Sequence, residues 1–310
     1  MDFLKLPKTK HNRIIIDELK CTNFPGISLK DSQFSVASLQ FEDESAAILK
    51  IPLSSYSSFS GILPYGHLRI QPDEYNGLIT KQIANVANIP CAEYYLVSKI
   101  NFDYILSPSF LKDGDELILG SSLSPNNEFD VNNIIYNLKT ALTLRKFDNA
   151  EIIDVIDSFI KQGFINKFIG NLDEQSRNFG IIVNNRHVKL APLFDVDYTF
   201  GVCEDDLGFC RTVGSSTSLS KYIENFKDHP GFIDWVKDFT NNLNVEQLFV
   251  DVEKDTGIVA PKFLQDLYTL FINKQLDLTK KTIDTIEKGE YILEWNWIYF
   301  GKILKIIYIN

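Results

Sequence analysis

The hydrophobic pattern of this chain changes character partway along its length. Residues 34–40 and 46–51 are short apolar runs on either side of the acidic turn 42–44, and they predict two β-strands. From about residue 128 the apolar residues recur at helical spacing. We therefore expect an α+β fold, with a β-rich N-terminal lobe over residues 1–100 and a helical C-terminal lobe over residues 101–310. This order is common among ATP-dependent phosphotransfer enzymes, and by itself it also fits many other α+β proteins.

Further elements follow from the same reasoning. Apolar residues at positions 78, 79, 83 and 86 predict a helix that begins near Glu74 and ends before Pro90. Strands are expected at residues 67–71 and 92–98, and residues 112–115 are typical of a hairpin-like turn. The second part of the chain predicts helices at residues 134–144, 152–168, 232–239, 245–252 and 262–274, with another from residue 277 onward.

The segment most informative about function follows the helix expected at residues 152–168. Asp173 and Asn178 have the spacing of the protein-kinase catalytic loop, in which Asp accepts the substrate hydroxyl proton and Asn holds a magnesium ion. Residues 179–183 and 187–191 predict a β-hairpin that delivers Asp195 next to this loop. Carboxylate and amide oxygens are the ligands that hard cations prefer. The segment therefore predicts a Mg²⁺-dependent phosphotransfer site, although the Asp–Asn spacing alone would also fit an ordinary turn-forming loop.

Charge and cysteine usage argue against other kinds of site. The formal net charge is -10 and the sequence has no Lys/Arg-rich run, so we expect no direct contact with nucleic acid. The four cysteines form no CxxC pair and the four histidines are scattered, so we expect neither a zinc site nor a catalytic triad. No apolar stretch reaches the length of about 18 residues that a membrane-spanning helix needs.

The sequence GNLDEQSRNFGIIV followed by KLAPLFD resembles the HipA-like kinases, which are the toxin halves of bacterial toxin–antitoxin modules. The family pattern reads, loosely, I-G-N-x-D-x-H-x-x-N-x-G and then A-P-x-x-D. The positions kept in this chain are Ile169, Gly170, Asn171, Asp173, Asn178, Gly180, Ala191, Pro192 and Asp195. Gln175 departs from the pattern, because the family usually has His there. The resemblance implies a bilobal protein-kinase-like fold.

The resemblance also implies roles for these residues. Asp173 would be the catalytic base and Asn178 and Asp195 would be Mg²⁺ ligands, with ATP as the phosphoryl donor. The implied activity is that of a serine/threonine protein kinase toxin that phosphorylates a protein of the translation machinery, such as an aminoacyl-tRNA synthetase. Implied partners are antitoxin proteins of the HipB or HipS type. The chain begins almost at the kinase core, so it is most similar to the short split variant called HipT. We expect it in the bacterial cytoplasm, with export into a host cell as the alternative.

Two segments compete for the phosphate-covering loop that such a kinase needs. Residues 34–40 resemble the family's S-x-x-G-x-Q loop, with Ser38 in place of the usual Gly, and Ser35 would then be the autophosphorylated serine that switches the kinase off. Residues 54–61 resemble the S-x-S-G form of HipT. The autophosphorylation candidates in that alternative are Ser54, Ser55, Ser57, Ser58 and Ser60.

A cation that contacts the ATP phosphates is also expected in the N-terminal lobe. Lys50 lies in the second predicted strand and resembles the family's strand lysine. Glu74, which opens the next helix, would be its ion-pair partner, and Arg69 is the alternative cation. Two other functions stay open: a small-molecule or lipid kinase of related fold, and a nucleotide-binding pseudokinase module.

Overall fold

A seven-stranded β-sheet forms the N-terminal lobe in the computed structural model, which describes residues 5–6, 8, 14–15, 21–23, 28–29, 34–41, 45–52, 72–99, 102–122, 130–171, 173–196, 199–200 and 219–289. Its strands are β1 (Ile14–Ile15), β2 (Cys21–Asn23), β3 (Ser28–Leu29), β4 (Phe34–Phe41), β5 (Ala46–Pro52), β6 (Tyr95–Lys99) and β7 (Phe102–Pro108). They lie in the order β1-β6-β7-β5-β4-β2, with β3 also paired to β4. All the pairings in this sheet are antiparallel except that of β1 with β6.

Strands β4 and β5 form a continuous antiparallel ladder, which confirms the two strands expected at residues 34–40 and 46–51. Its register runs from Phe34 opposite Pro52 to Gln40 opposite Ala46. The other edge of β4 pairs with β2 and β3. Residues 34–40, the first candidate for the phosphate-covering loop, therefore form a strand whose backbone groups are paired within the sheet, and their assignment to that loop stays a prediction.

The N-terminal sheet extends further along the chain than the expected lobe boundary at residue 100. Strand β7 pairs with both β5 and β6, so the expected boundary would separate two paired strands of one sheet. The strand expected at residues 92–98 is present as Tyr95–Lys99. The strand expected at residues 67–71 lies outside the described residues. The last residue of the sheet is Pro108.

A second, three-stranded sheet begins the rest of the fold. It has the order β10-β9-β8 and consists of β8 (Glu116–Leu119), β9 (Gly180–Asn184) and β10 (His187–Leu190). Asn184 lies opposite His187, so the predicted hairpin is confirmed. Residues 112–115 do form a turn, in which the Asp115 amide donates to the Lys112 carbonyl over 2.9 Å. The turn does not close a hairpin, however, since β7 and β8 belong to different sheets.

Seven α-helices supply most of the remaining structure among the described residues. They are α1 (Pro72–Val86), α2 (Val131–Leu144), α3 (Asn149–Phe168), α4 (Leu219–Phe226), α5 (Phe232–Asn242), α6 (Val245–Thr256) and α7 (Lys262–Glu287). Helix α7 is one element, where the sequence suggested two, and α4 was not expected. None of the described helices is long and apolar enough to cross a membrane.

Helix α1 follows strand β5 in the sequence, but it packs against the helical lobe. Its buried residues Leu78, Ile79 and Ile83 belong to one hydrophobic cluster with helices α3 to α7. The Tyr268 hydroxyl of α7 donates to Asn76 Oδ1 over 2.6 Å, and both residues are fully buried. Two further side-chain hydrogen bonds, from Gln82 to Asp255 (2.9 Å) and from Trp235 to the Ala87 carbonyl (3.1 Å), tie α1 and the residue after it to α6 and α5. This helix is therefore fixed to the helical lobe.

Candidate active site

Helix α3 ends immediately before the segment that carries the predicted base. We call residues 173–178 the Asp173 loop. The helix ends at Phe168, and Gly170 then adopts a left-handed conformation with φ of +63°. A Cβ atom on Gly170 would lie 2.8 Å from Phe271 Cζ, so both the backbone angle and the available space favour glycine. This turn ends the buried helix shortly before the Asp173 loop.

The structure brings Asp173 and Asn178 into direct contact. Asn178 Nδ2 donates to Asp173 Oδ2 over 3.0 Å and to the Asp173 backbone carbonyl over 2.6 Å. Asn178 is buried, with 8% of its surface exposed, whereas the Asp173 side chain keeps 22% exposure. Because the amide nitrogen faces Asp173, the amide oxygen of Asn178 is the atom left to bind a hard cation. The spacing read from the sequence therefore corresponds to a bonded pair.

Two neighbouring side chains also contact the Asp173 carboxylate. Gln175 Nε2 donates to Asp173 Oδ1, and the Arg177 guanidinium lies 3.7 Å from Asp173 Oδ2. Gln175 occupies the position at which HipA-like kinases usually have His, and its amide performs a donor role that a histidine could also perform. Arg177 was not singled out from the sequence. Its side chain is 57% exposed, so it is a cation at the mouth of the site.

The Asp173 loop is also tied to the end of α3 by amide side chains. Asn171 Nδ2 donates to Asn166 Oδ1 over 3.0 Å, and the Asn171 amide donates to the Asn166 carbonyl over 2.9 Å. Asn171 Oδ1 then accepts a hydrogen bond of 3.1 Å from the Asp173 amide. These bonds connect the last turn of the helix to the backbone of Asp173 and explain why an Asn at position 171 suits this turn.

Asp195 lies beyond the end of the β9–β10 hairpin. The Ala191 amide donates to the Gly180 carbonyl over 2.9 Å, which extends the pairing and puts residues 178 and 195 at the same end of the hairpin. Leu193 then pairs with the segment before β6, through bonds of 2.8 Å with Pro90 and Ala92. Asp195 itself has a left-handed backbone, with φ of +59°. Such a conformation is uncommon outside glycine and is concentrated at functional sites.

Lys50 is the point at which the N-terminal sheet reaches this site. It lies on β5 between Val36 of β4 and Ile105 of β7, and its side chain is 13% exposed. Its ammonium group forms an ion pair with Asp195 Oδ1. The structure therefore joins the predicted phosphate-binding lysine to the predicted metal-binding carboxylate. Glu74, its expected partner, lies in the first turn of α1, and its side chain is outside the described part of the structure.

The other predicted N-terminal-lobe residues are only partly placed. Ser35 lies within β4 opposite Ile51, and its side chain is outside the described part of the structure. Arg69 and the serine candidates lie outside the described residues, in the stretch that connects β5 to α1. These serine candidates are Ser54, Ser55, Ser57, Ser58 and Ser60. Their assignment to a phosphate-covering loop stays a prediction.

A second charged pair lies next to Asp173 and was missed in the sequence. Lys167, in the last turn of α3, forms an ion pair with Glu174, and the two side chains are only 6% and 3% exposed. Burial raises the pKa of the Glu174 carboxyl, and the nearby Lys167 ammonium opposes this shift only in part. No residue in the described structure donates a hydrogen bond to Glu174 Oε1. A lysine at the end of a helix is normally expected to be exposed to solvent, so the local sequence does not predict this buried pair.

The donor set fits a magnesium ion better than a softer metal. Asn178 offers an amide oxygen and Asp195 a carboxylate, and Mg²⁺ commonly binds one or two protein oxygens together with substrate phosphates and water. Among the described residues, no cluster of three His, Cys, Asp or Glu side chains could hold a metal alone. A divalent ion at this site would therefore depend on a nucleotide for its remaining ligands.

Comparison with solved structures identifies the fold. The proinflammatory kinase CtkA of Helicobacter pylori is similar over 84% of this chain and 98% of its own, with a TM-score of 0.58 and 11% sequence identity. HipA of Shewanella oneidensis MR-1, solved with HipB and operator DNA, matches 87% of this chain and 68% of its own at 12% identity, with a TM-score of 0.49. A Golgi casein kinase with Mn/ADP bound matches 88% of this chain and 75% of its own at 10% sequence identity, with a TM-score of 0.43.

The similarities to HipA and to the Golgi casein kinase have TM-scores below 0.5, so no conclusion is based on them. At 11% sequence identity, the similarity to CtkA indicates a shared fold only. No protein-family model matches the chain, and no curated protein matches it in sequence. The β-rich first lobe, the helical second lobe and the similarity to CtkA agree with one another. The protein therefore has an α+β, bilobal, kinase-like fold.

Proposed function

We propose that this protein is an ATP- and Mg²⁺-dependent kinase that transfers the γ-phosphoryl group of ATP to a serine hydroxyl of a protein. The observation that carries the proposal is the bonded pair of Asp173 and Asn178, in a loop that follows a buried helix. The ion pair between Lys50 and Asp195 supports it, because it joins a lysine of the sheet to a carboxylate that lies at the same end of the β9–β10 hairpin as Asn178. The kinase-like fold is consistent with this arrangement.

In this mechanism Asp173 accepts the proton of the serine hydroxyl. The serine oxygen bonds to the γ-phosphorus while the bond from that phosphorus to the bridging oxygen breaks, which leaves ADP. Hydrogen bonds from Asn178 and Gln175 orient the Asp173 carboxylate for this role. Bound Mg²⁺, held by Asn178 and Asp195, would neutralise charge on the phosphates. Lys50 places a further positive charge beside them.

The finer proposal is that the protein is a toxin of the HipA or HipT type. Its substrate would be a protein of the translation machinery, such as an aminoacyl-tRNA synthetase, and its partners antitoxins of the HipB and HipS type in the bacterial cytoplasm. The support is the motif resemblance over residues 169–195, in which nine family positions are kept. We further propose inhibitory autophosphorylation at Ser35 or at a serine within residues 54–60.

Incubation with γ-labelled ATP and Mg²⁺, followed by mass spectrometry, tests the proposed reaction. We expect the wild type to carry phosphate on Ser35 or on a serine within residues 54–60. The rate of phosphoryl transfer should fall at least about 100-fold in the Asp173→Asn variant, since a general base typically accelerates a reaction by a factor of about 10² to 10⁴. Asp157→Asn is a matched control on α3, where Asp157 pairs with Lys161 over 2.7 Å, and it should keep the wild-type rate.

Two results would contradict the proposal. One is equal labelling of the wild type and Asp173→Asn, which would show that Asp173 is not the base. The other is a wild type that neither binds MgATP nor transfers phosphate, which would leave a binding module with a kinase-like fold. Transfer to a metabolite or a lipid in a lysate, with no labelled protein, would favour the small-molecule or lipid kinase.

A further inference from the structure

The ion pair between Lys167 and Glu174 is unusual for its depth and its place. Lys167 belongs to the last turn of α3, and Glu174 directly follows the predicted base. Both side chains are more than nine-tenths buried, with exposures of 6% and 3%. The pair therefore links the end of a core helix to the Asp173 loop from beneath, on the side away from solvent.

Stability alone is a poor explanation for this pair. Removing two charges from water usually costs more free energy than their attraction returns. A protein in which apolar residues of similar volume replace such a pair is often as stable as the original or more stable. Here the cost is raised further, because Glu174 Oε1 is buried and accepts no hydrogen bond from the described residues. The neighbouring Tyr222 hydroxyl, which is itself fully buried, donates to the Ile160 carbonyl over 2.9 Å instead. A buried charge kept at such a cost calls for a purpose other than stability.

We propose that Lys167 and Glu174 form a positioning pair that holds the Asp173 carboxylate in its productive orientation. This inference rests on the proposed kinase function. Glu174 and Asp173 share a peptide bond, so an anchor on one side chain restricts the backbone that aims the other. The pair complements the amide ties on the other side of Asp173, where Asn171 receives the Asp173 amide over 3.1 Å. The loop is thus held by two anchors, one on each side of the base.

Removing both charges together separates positioning from stability. In the variant Lys167→Met with Glu174→Met, both charges are replaced by apolar side chains of similar length. Each single Met variant removes the partner of one buried charge in this pair and should unfold at lower urea concentration than the wild type. The double variant should regain wild-type stability. If the pair acts only through stability, the double variant should regain wild-type turnover as well.

We expect the double variant to remain impaired in turnover. A small misplacement of a reacting group can reduce a rate by about 100-fold, so we expect kcat to fall at least about 10-fold. The KM for ATP should stay within about twofold, because no phosphate-binding residue has changed. Lys237→Met is the matched control, since it breaks the more exposed Lys237–Glu287 pair between α5 and α7 and should leave kcat unchanged. A stable double variant with wild-type kcat would overturn the proposal.

Hydrogen exchange gives a second measurement that needs no catalysis. The amides of Asp173 and Asn178 are bonded within the loop region, at 3.1 Å to Asn171 Oδ1 and 2.9 Å to the Gln175 carbonyl. In the double variant these amides should exchange at least about 10-fold faster, while those of β9 stay unchanged. Unaltered loop protection would refute the positioning role.

The experiment remains decisive in two less favourable cases. If the wild type transfers no phosphate, the proposed function fails, and exchange at the loop amides still tests the anchor. If the double variant does not fold, Glu174→Gln is measured instead, because it removes the carboxylate charge at nearly constant volume, and the β9 amides then report any loss of global stability. The Glu174→Gln variant should show the same faster loop exchange, and an unchanged loop would again refute the proposal.

Discussion

Gly163, in the middle of α3, allows a tyrosine to pack against the helix that leads into the Asp173 loop. A Cβ atom at this position would lie 2.1 Å from the Tyr222 hydroxyl oxygen and 2.8 Å from its Cζ. Tyr222 is fully buried, and its hydroxyl donates to the Ile160 carbonyl one turn earlier in α3. The substitution Gly163→Ala therefore sets a gain in helix propensity against a clash in the core.

The clash should dominate. Alanine stabilises a helix interior by about 0.8–1.0 kcal/mol relative to glycine. Against this, extra atoms in a well-packed core cost about 1–3 kcal/mol, and a buried hydroxyl forced from its partner costs a further ~1–3 kcal/mol. The difference predicts that Gly163→Ala lowers the free energy of unfolding by about 1–5 kcal/mol. Because Tyr222 comes from α4, the change should loosen the contact between α3 and α4.

Urea unfolding followed by circular dichroism measures this difference. In a Tyr222→Phe background the nearest clashing atom is absent, so Gly163→Ala should cost less there than in the wild type. The gap between the two costs is the coupling between these positions. A Gly163→Ala protein as stable as the wild type, or more stable, would refute the packing described here. So would an equal cost in both backgrounds.

Three further predictions concern the site and its supports. Lys50→Met should weaken MgATP binding by about 10-fold or more in a calorimetric titration, since charged hydrogen bonds are worth ~1.5–3 kcal/mol; unchanged affinity would exclude Lys50 from the phosphate site. Burial raises the pKa of Glu174 in the folded state above its unfolded value. The contribution of Glu174 to the free energy of unfolding is therefore fully present below the pKa that Glu174 has in the unfolded state. It declines as the pH rises through the pKa that Glu174 has in the folded state. Urea unfolding across this pH range should show that decline in the wild type but not in Glu174→Gln, and parallel profiles would contradict it. Tyr268→Phe removes the 2.6 Å bond to Asn76 and should lower the free energy of unfolding by about 0.5–1.5 kcal/mol, whereas an unchanged value would mean that the bond adds nothing.

The part of the site in the helical lobe could be predicted because the features that define it are close together in the sequence. The buried helix, the turn at Gly170, the spacing of Asp173 and Asn178 and the hairpin before Asp195 all lie within one stretch of about 45 residues. Turn chemistry and apolar periodicity determine such a stretch with few long-range contacts. The spacing predicted that Asp173 and Asn178 belong to one loop, and the hydrogen bond between them is seen only in the structure.

Some errors in the secondary structure were avoidable. Helix α4 has buried residues at positions 219, 222, 223 and 226, which is the spacing of one helical face, but its eight residues made it easy to overlook. Helix α7 contains no Gly or Pro from residue 262 to residue 287, so nothing in the sequence required a break near residue 277. Leu144 and Ile153 match a buried helical stripe in the sequence but are 76% and 56% exposed, because the chain offers no partner for that side of α2 and α3 among the described residues.

Two other features were left open by the sequence or did not show in it. Residues 34–40 contain the serines and the spacing of a loop motif, yet pairing on both edges makes them a central strand. Lys167 looks like a solvated helix-terminal lysine until the loop folds back and buries it against Glu174. For residues 34–40 the observed pairing is that of the strand that their apolar pattern predicted, whereas the contact between Lys167 and Glu174, seven residues apart, depends on a burial that the local sequence does not show.

The Lys50–Asp195 pair has a consequence for how nucleotide enters the proposed site. Asp195 is fixed to the helical lobe by the β9–β10 hairpin and by the pairing of Leu193 with the segment after α1, which is itself bonded to that lobe. Lys50 belongs to the sheet, so their ion pair bridges the two lobes. A phosphate that binds Lys50 must replace Asp195 as its partner or join the pair, and a metal ion must draw the carboxylate toward itself. Nucleotide and metal should therefore bind cooperatively, because the phosphate compensates the charge of Lys50 while the metal ion compensates that of Asp195.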